Sequence, residues 1–216
     1  MPQSILDRIG LSTGTDKASG GHNYLDFYED NLNFFQNETF TMLEIGGLNG
    51  ASLAMWSKYF PNARVVCVDI NPAVKQFEAG QISVEIGNSA DPQFLESVVK
   101  KHGPFRLILD DGSHRWDHMR VAFRALYPGL EAGGIYIVED LHTNYEGRFA
   151  GDDDVPFINS LYQMVDLLHA RGDQRRTLIQ RASAGLVAAS NETRSINFGR
   201  RCCIITKKAS PAQDLE

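Results

Sequence analysis

The sequence predicts an α/β fold in which a mostly parallel sheet is covered by helices on both faces. Short runs rich in apolar and β-branched residues alternate along the chain with segments of helical periodicity. Several of the helical segments begin with Asp, Asn or Pro, as helix starts often do. Strands that alternate with helices in this way form βαβ units, and such units build parallel sheets.

The predicted elements follow one another in order. Five strands are predicted over 40–45, 64–68, 82–86, 105–109 and 135–138. Helices are predicted over 50–60, 72–79, 91–101 and 115–127, with a longer one over 155–170. Two last strands, over 195–198 and 202–206, flank Gly199-Arg200 and predict an antiparallel C-terminal hairpin. The expected sheet therefore has seven strands.

The two ends of the chain are predicted to differ from the sheet domain. Residues 1–35 carry helical patterns and are expected to form a helical cap over the carboxyl edge of the sheet. Residues 36–209 are expected to form the main domain, and 210–216 a frayed tail. A chain of 216 residues is long enough for one medium domain with its own core.

Composition excludes several classes of protein. No apolar run approaches the roughly 18 to 20 residues that span a bilayer, so no membrane partner is expected. The net charge of −6 lacks the basic excess of nucleic-acid binders. The three cysteines, Cys67, Cys202 and Cys203, match neither a disulfide framework nor zinc-ligand spacing. We therefore expect a cytoplasmic protein, with Cys67 as a small buried apolar residue.

A glycine-rich turn follows the first predicted strand and opens a helix, in the run Leu43-Glu44-Ile45-Gly46-Gly47-Leu48-Asn49-Gly50. Glycine lets the backbone turn sharply and approach a ligand closely. The glutamate discriminates between ligands, because an acidic residue two before the first glycine is typical of class I methyltransferases that use S-adenosylmethionine (SAM). Glu44 and Gly46 are therefore predicted to bind SAM, although Leu48 stands where that pattern has a glycine.

The next two predicted strands end in polar residues. Asp69 lies about 20 residues after the glycine turn, the position of an acid that accepts hydrogen bonds from a ribose diol. NAD enzymes share this feature, so Asp69 indicates a nucleoside without naming it. Ser89 follows the third strand and is predicted to lie near adenine. Asp91 has two interpretations, an adenine contact or the cap of the helix that begins with Pro92.

The fourth and fifth strands both end in acidic residues. Strand neighbours lie about 5 Å apart, so these ends are predicted to meet at the rim of the sheet where ligands bind. The carboxylates concerned are Asp110, Asp111, Glu139 and Asp140. Unpaired carboxylates repel one another, and a hard divalent cation, Mg²⁺ or alternatively Mn²⁺, would resolve the repulsion. Ion pairs with Arg115 and Arg120 are the other interpretation.

Alternation along a strand sends Asp110 and Asp111 to opposite sides. We therefore expect Asp110 beside the donor and Asp111 on the metal. His114 follows closely enough to reach the same pocket, and a histidine is a suitable general base near neutral pH. His118 and His142 are weaker candidates for the base.

Taken together, these motifs resemble the metal-dependent sugar O-methyltransferases of macrolide and related antibiotic biosynthesis, of the mycinamicin and rhamnosyl types. The shared residues are Gly14-Thr15-Asp16-Lys17, His22, Tyr24, Tyr28, Glu29, Leu43-Glu44-Ile45-Gly46, Gly50-Ala51-Ser52-Leu53, Met55-Trp56, Asp111-Gly112-Ser113-His114, Glu139-Asp140-Leu141 and Thr143. The resemblance implies a Rossmann-like class I methyltransferase fold. It also implies Asp111, Glu139 and Asp140 as metal ligands, His114 as general base, and Glu44, Asp69 and Ser89 around SAM.

The resulting functional hypothesis is a SAM-dependent, divalent-metal-dependent O-methyltransferase. Its expected partner is a small-molecule acceptor, a glycoside with a vicinal diol, and homo-oligomerisation is left open. The family often has an aromatic pair after the Glu-Asp motif, and Tyr145-Glu146 departs from it, so the acceptor pocket is expected to differ. Residues 145–155 are interpreted as a lid or as an acidic loop tip. The alternatives are a catechol-type acceptor, a non-catalytic nucleoside-binding domain and, least favoured, a dehydrogenase.

Overall fold

The computed structural model describes residues 3–151 and 154–209 of the chain. Over these residues the strands are β1 (Thr41–Ile45), β2 (Arg64–Asp69), β3 (Ile82–Ile86), β4 (Phe105–Asp110), β5 (Leu130–Val138), β6 (Thr193–Gly199) and β7 (Cys202–Lys207). They form a seven-stranded sheet in the order β3-β2-β1-β4-β5-β7-β6. The antiparallel hairpin β6–β7 lies at one edge of this sheet, so the predicted fold class is confirmed.

Eight α-helices occur in the described ranges. They are α1 (Ile5–Thr13), α2 (Leu25–Leu32), α3 (Ala51–Tyr59), α4 (Pro92–His102), α5 (Trp116–Leu126), α6 (Ile158–His169), α7 (Gly172–Arg181) and α8 (Ala184–Glu192). The segment predicted as a helix over 72–79 is a 3-10 helix, Pro72–Phe77. Helices α7 and α8 were not predicted. The large apolar residues of α7 are only the adjacent Leu178 and Ile179, so its sequence carries no apolar stripe of helical period, and no residue of this helix is buried.

Contacts divide the chain into two compact units, one up to Asn88 and one from Ser89 onward. In the first unit, β1 pairs in parallel with β2, and β2 with β3. Aromatic rings fill the core between the N-terminal helices and α3, with Tyr28 stacked on Trp56 at 6.4 Å and Trp56 on Phe60 at 5.8 Å. The residues predicted as a cap thus form α1, which packs on α2 and α3, and α2, which contacts α3 through Tyr28. Their place over the carboxyl edge stays a prediction.

In the second unit, β4 pairs in parallel with β5, and β5 pairs antiparallel with β7. The register sets Asp110 opposite Val138, so the loops that follow β4 and β5 leave the sheet at the same level. Strand β5 begins at Leu130, earlier than predicted, and its register with β4 shifts between Phe105 and Leu107. The tail 210–216 lies outside the described residues, and the domain boundaries stay predictions.

Two expectations from composition can be compared with the structure. The three cysteines are free thiols and buried. Cys67 is fully buried in β2, as predicted, and burial raises the pKa of its thiol. Across the part of the chain that the structure describes, we find no helix both long enough and apolar enough to cross a membrane.

Candidate active site

The turn after β1 has the backbone geometry that its glycines permit. Gly46 has φ +93°, in the left-handed region that favours glycine, and its amide donates to the Val68 carbonyl at 2.8 Å. Leu48 also has a positive φ, +42°, and its side chain is 76% exposed. The residue that departs from the methyltransferase pattern therefore retains the backbone conformation of a glycine position, at a steric cost that a glycine would avoid.

Glu44 is fully buried at the end of β1, and its charge is balanced by a residue from the N-terminal segment. Lys17 Nζ lies 3.8 Å from Glu44 Oε1, and the Lys17 side chain is only 2% exposed. Ser52 Oγ donates to Glu44 Oε2 at 3.1 Å. The ion pair explains how a carboxylate can stay buried behind the glycine turn, because a buried charge needs a partner.

Replacing Lys17 with Met is expected to destabilise the protein by about 3–5 kcal/mol, because it leaves the Glu44 carboxylate buried without this cation. Equilibrium unfolding in urea measures the change. The double variant Lys17→Met/Glu44→Gln is expected to recover part of the loss, and Lys58→Met, on the exposed side of α3, serves as a matched control. Equal stability of Lys17→Met and the wild type would contradict a structural role for the pair.

Asp69 lies against the glycine turn. Its Oδ2 accepts hydrogen bonds from the amides of Gly47 at 2.8 Å and Leu48 at 3.3 Å, and its Oδ1 accepts from Asn71 at 2.7 Å. A carboxylate has about four acceptor positions, so bonding to the turn is compatible with a further bond to a ligand hydroxyl. The carboxylate therefore shapes the turn in addition to any role toward a nucleoside.

The residues after β3 take different roles. Asp91 is the N-cap of α4, where its Oδ1 accepts from the amides of Gln93 at 2.9 Å and Phe94 at 3.2 Å. The structure therefore supports the capping interpretation of Asp91. Ser89 is half-buried in the turn before it.

A cluster of ligand-type atoms lies where the loops after β4 and β5 meet. Asp111, His114 and Asp140 each offer one atom, and these atoms all lie within 4.8 Å of one another. His114 Nε2 is 3.6 Å from Asp140 Oδ2 and 3.9 Å from Asp111 Oδ1. The three side chains are 13–22% exposed, so the cluster is partly accessible from solvent.

Two members of this cluster have unusual backbones. His114 has φ +58° and Asp140 has φ +53°, both in the left-handed region. For residues other than glycine this conformation costs about 1–3 kcal/mol each, and such strain concentrates at functional sites. Both side chains reach the cluster from these conformations.

Asp110 and Glu139 were also predicted for this region, and neither is one of the three cluster residues. Asp110 is buried and accepts from the Gly112 amide at 3.4 Å and the Tyr136 hydroxyl at 3.5 Å. Burial raises the pKa of the Asp110 carboxyl to about 7. Asp110 and Asp111 thus have different surroundings, as strand alternation predicts. Glu139 is buried beside Asp140, and it is not one of the three residues that converge.

The competing histidines and arginines have other contacts. His118 Nδ1 is 2.8 Å from Ser113 Oγ, and burial lowers the pKa of its imidazole. His142 Nδ1 is 3.9 Å from Asp140 Oδ1, and its side chain is 37% exposed. Arg115 pairs with Asp117 at 3.2 Å, and Arg120 donates to the Val155 carbonyl.

Comparison with known proteins gives one consistent group of relatives, although no family model matches the chain. The chain is 36% identical over 158 residues to L-olivosyl-oleandolide 3-O-methyltransferase of Streptomyces antibioticus, covering 68% of this chain and 39% of that protein. It is 35% identical over 174 residues to 8-demethyl-8-alpha-L-rhamnosyl tetracenomycin-C 2'-O-methyltransferase of Streptomyces olivaceus, covering 76% and 46%. The chain belongs to the class I methyltransferase family of these enzymes. It spans under half the length of these curated relatives.

Solved structures of the family agree on the fold. The MycE methyltransferase of the mycinamycin pathway, solved with Mg, SAH and mycinamycin VI, has a TM-score of 0.83 to this chain at 23% identity. The match covers 96% of this chain and 55% of that one. At this identity the likeness establishes the class I methyltransferase fold and nothing about individual side chains.

Three residues that contact predicted functional residues were not assigned a role from the sequence. Lys17 pairs with Glu44, and the Phe149 ring lies edge-on to the His114 ring at 6.4 Å. Thr143 bonds to the main chain of both loops of the cluster. Lys17 and Thr143 lie in motifs shared with the family, and this was the sequence signal that could have identified them. Phe149 lies in the segment interpreted as a lid, and no pattern distinguished it.

Proposed function

We propose that the chain is a SAM-dependent, divalent-metal-dependent O-methyltransferase that acts on a hydroxyl of a sugar or of a glycosylated secondary metabolite. The observation that carries the proposal is the convergence of Asp111, His114 and Asp140, in a member of a family whose named relatives methylate sugar hydroxyls. The proposed acceptor is a glycoside with a vicinal diol.

The donor set fits a hard divalent cation. The two carboxylates supply the oxygen ligands that suit Mg²⁺ or Mn²⁺ with some retained water, and the imidazole within 4.8 Å of them is left for proton transfer. In the proposal Asp111 and Asp140 hold the ion, and the buried Glu139 supplies a third carboxylate, as the family resemblance implies. The bound ion would hold the acceptor diol and stabilise the alkoxide of the hydroxyl to be methylated.

The protein residues then have separate tasks. Gly46, Glu44 and Asp69 bind and orient SAM, with Ser89 near adenine and Asp110 on the donor side of its strand. His114 accepts the hydroxyl proton at Nε2, the nitrogen that faces the carboxylates. The acceptor oxygen forms a bond to the methyl carbon as the carbon–sulfur bond of SAM breaks, and S-adenosylhomocysteine leaves. Alignment of the two substrates supplies much of the remaining acceleration.

The direct test is methyl transfer from isotopically labelled SAM to a panel of acceptors, followed by mass spectrometry. Methyl rhamnoside and rhamnosides of polyketide aglycones represent the proposed class, and catechol represents the alternative of the same fold. Labelled methyl ethers of the rhamnosides support the proposal. Turnover of catechol alone would show that the acceptor is a phenol and not a sugar. SAM binding without turnover of any diol would favour a non-catalytic domain.

Replacing Asp69 with Ala is expected to weaken SAM binding by about 1–3 kcal/mol, the cost of leaving hydrogen bonds to a charged group unmade. Titration calorimetry with SAM measures the change. Because Asp69 also bonds the Gly47 and Leu48 amides, the free energy of unfolding is measured in parallel. Asp30→Ala, at an exposed site on α2, is the control. Unchanged SAM affinity in Asp69→Ala would remove Asp69 from the donor site.

A further inference from the structure

Thr143 connects the two loops that carry the Asp111–His114–Asp140 cluster. It lies in the 3-10 helix Leu141–Tyr145 and is 2% exposed. Its hydroxyl donates to the Asp140 carbonyl at 2.8 Å and lies 3.3 Å from the His114 carbonyl, in the geometry of a second, shared hydrogen bond. One hydroxyl therefore bonds to the backbone of a residue in each loop.

A second contact fixes Thr143 itself. The indole nitrogen of Trp116, at the start of α5, donates to the Thr143 carbonyl at 2.9 Å, and both groups are buried. Trp116 closely follows His114 in the chain, so this bond returns to the loop after β4. Thr143 is thus tied to that loop by its main chain and to both loops by its side chain.

The two carbonyls that Thr143 contacts belong to the two strained residues of the cluster. His114 and Asp140 both have left-handed backbones, at φ +58° and +53°. Strained conformations of this kind persist only when the surroundings over-determine them. A hydroxyl that bonds both carbonyls restricts the rotation of the two peptide groups, and with it the direction in which each side chain leaves the backbone.

We propose that Thr143 is a positioning residue that holds His114 and Asp140 at the separation the reaction requires. It acts through their backbones, and its own atoms bond neither of the two side chains. The proposal rests on the proposed function, in which Asp140 holds the metal ion and His114 accepts the acceptor proton. It predicts that removing the hydroxyl, with the shape of the side chain kept, relaxes the 3.6 Å approach of His114 Nε2 to Asp140 Oδ2.

The experiment compares Thr143→Val, which removes the hydroxyl, with Thr143→Ser, which keeps it. Groups that orient metal ligands typically change metal affinity or activity by about 10–100-fold when they are lost. Thr143→Val is therefore expected to weaken Mn²⁺ binding, measured by calorimetry, and to lower kcat by that factor, with little change in the KM for SAM. Thr143→Ser is expected to restore both.

The controls separate positioning from stability. Thr177→Val removes a hydroxyl that donates to a backbone carbonyl on α7, away from the cluster. The free energy of unfolding is measured for every variant. Trp116→Phe, which removes the indole bond and keeps an aromatic ring, gives a second variant if Thr143→Val does not fold, and it is expected to lower Mn²⁺ affinity less.

An NMR measurement tests the positioning role without turnover and without bound metal. The imidazole resonances of His114, assigned by their absence in His114→Ala, are expected to move in Thr143→Val and to return in Thr143→Ser. If the wild type bound no Mn²⁺ and yet these resonances moved, the proposed function would fail and the positioning role would stand. Unmoved resonances, or equal impairment of Thr143→Ser and Thr143→Val, would overturn the positioning role.

Discussion

Removal of divalent cations with a chelator is expected to abolish methyl transfer, and added Mg²⁺ or Mn²⁺ to restore it. The physical reason is that Asp111 and Asp140 bring carboxylates into one small site with His114, where negative charges need a cation. A sugar hydroxyl is also a poor nucleophile near neutral pH unless its alkoxide is stabilised. Asp111→Asn and Asp140→Asn are expected to lose metal-supported turnover and to keep most SAM affinity.

The variants around this site can separate ligands from neighbours. Asp173→Asn, at an exposed position of α7, is the control for loss of a carboxylate. Glu139→Gln tests the third ligand, because the structure places Glu139 beside the cluster without including it. Full activity in exhaustive chelator would reject the metal and leave ion pairs with arginine as the explanation of the acidic loops.

Replacing His114 with Ala is expected to slow the chemical step by about 10²- to 10⁴-fold, the contribution typical of a general base. The imidazole is well placed for this task, because its Nε2 faces Asp140 Oδ2 at 3.6 Å. Single-turnover methylation with saturating SAM, metal and acceptor measures the step. SAM affinity is expected to be unchanged, because the imidazole is not assigned to the donor.

The same variant distinguishes a base from a ligand. If His114 is the base, Mn²⁺ affinity in His114→Ala stays close to that of the wild type. A large loss of Mn²⁺ affinity would make His114 a metal ligand, a role that its distances to both carboxylates also allow. His118→Ala and His142→Ala are expected to be milder, since His118 bonds to Ser113 and His142 is more exposed. Single-turnover methylation by His114→Ala at a near-normal rate would exclude it from the mechanism.

The predicted elements agree with the structure where a segment is buried in a regular way. Strands β1 to β4 lie within a residue or two of their predicted bounds. The continuous apolar run of β2 is typical of a buried parallel strand, and in the edge strand β3 apolar residues alternate with polar ones. Strand β5 is longer than predicted, because it begins at Leu130 and continues through Gly133 and Gly134. Gly133 has φ +73°, and the irregular register with β4 accommodates it within the strand.

Helix α7 shows what a local pattern cannot reveal. Its only large apolar residues are the adjacent Leu178 and Ile179, and none of its residues is buried. Periodicity detects a helix through its apolar stripe, so an exposed helix gives no signal. Helix α8 is short and rich in small residues, and its N-cap Ser183 is a weak signal without an apolar stripe.

The fold class and the acidic and histidine residues after β4 and β5 could be predicted from the amino-acid sequence, because hydrophobic periodicity and chain order are local properties. Which of these side chains meet depends on the tertiary structure. Lys17 reaches Glu44 because α1 packs on α2 and α3, and His114 faces Asp140 because both backbones take left-handed conformations held in part by Thr143. Such contacts depend on loop dihedral angles and on packing between segments distant in the chain, and neither quantity has a periodic signature in the sequence.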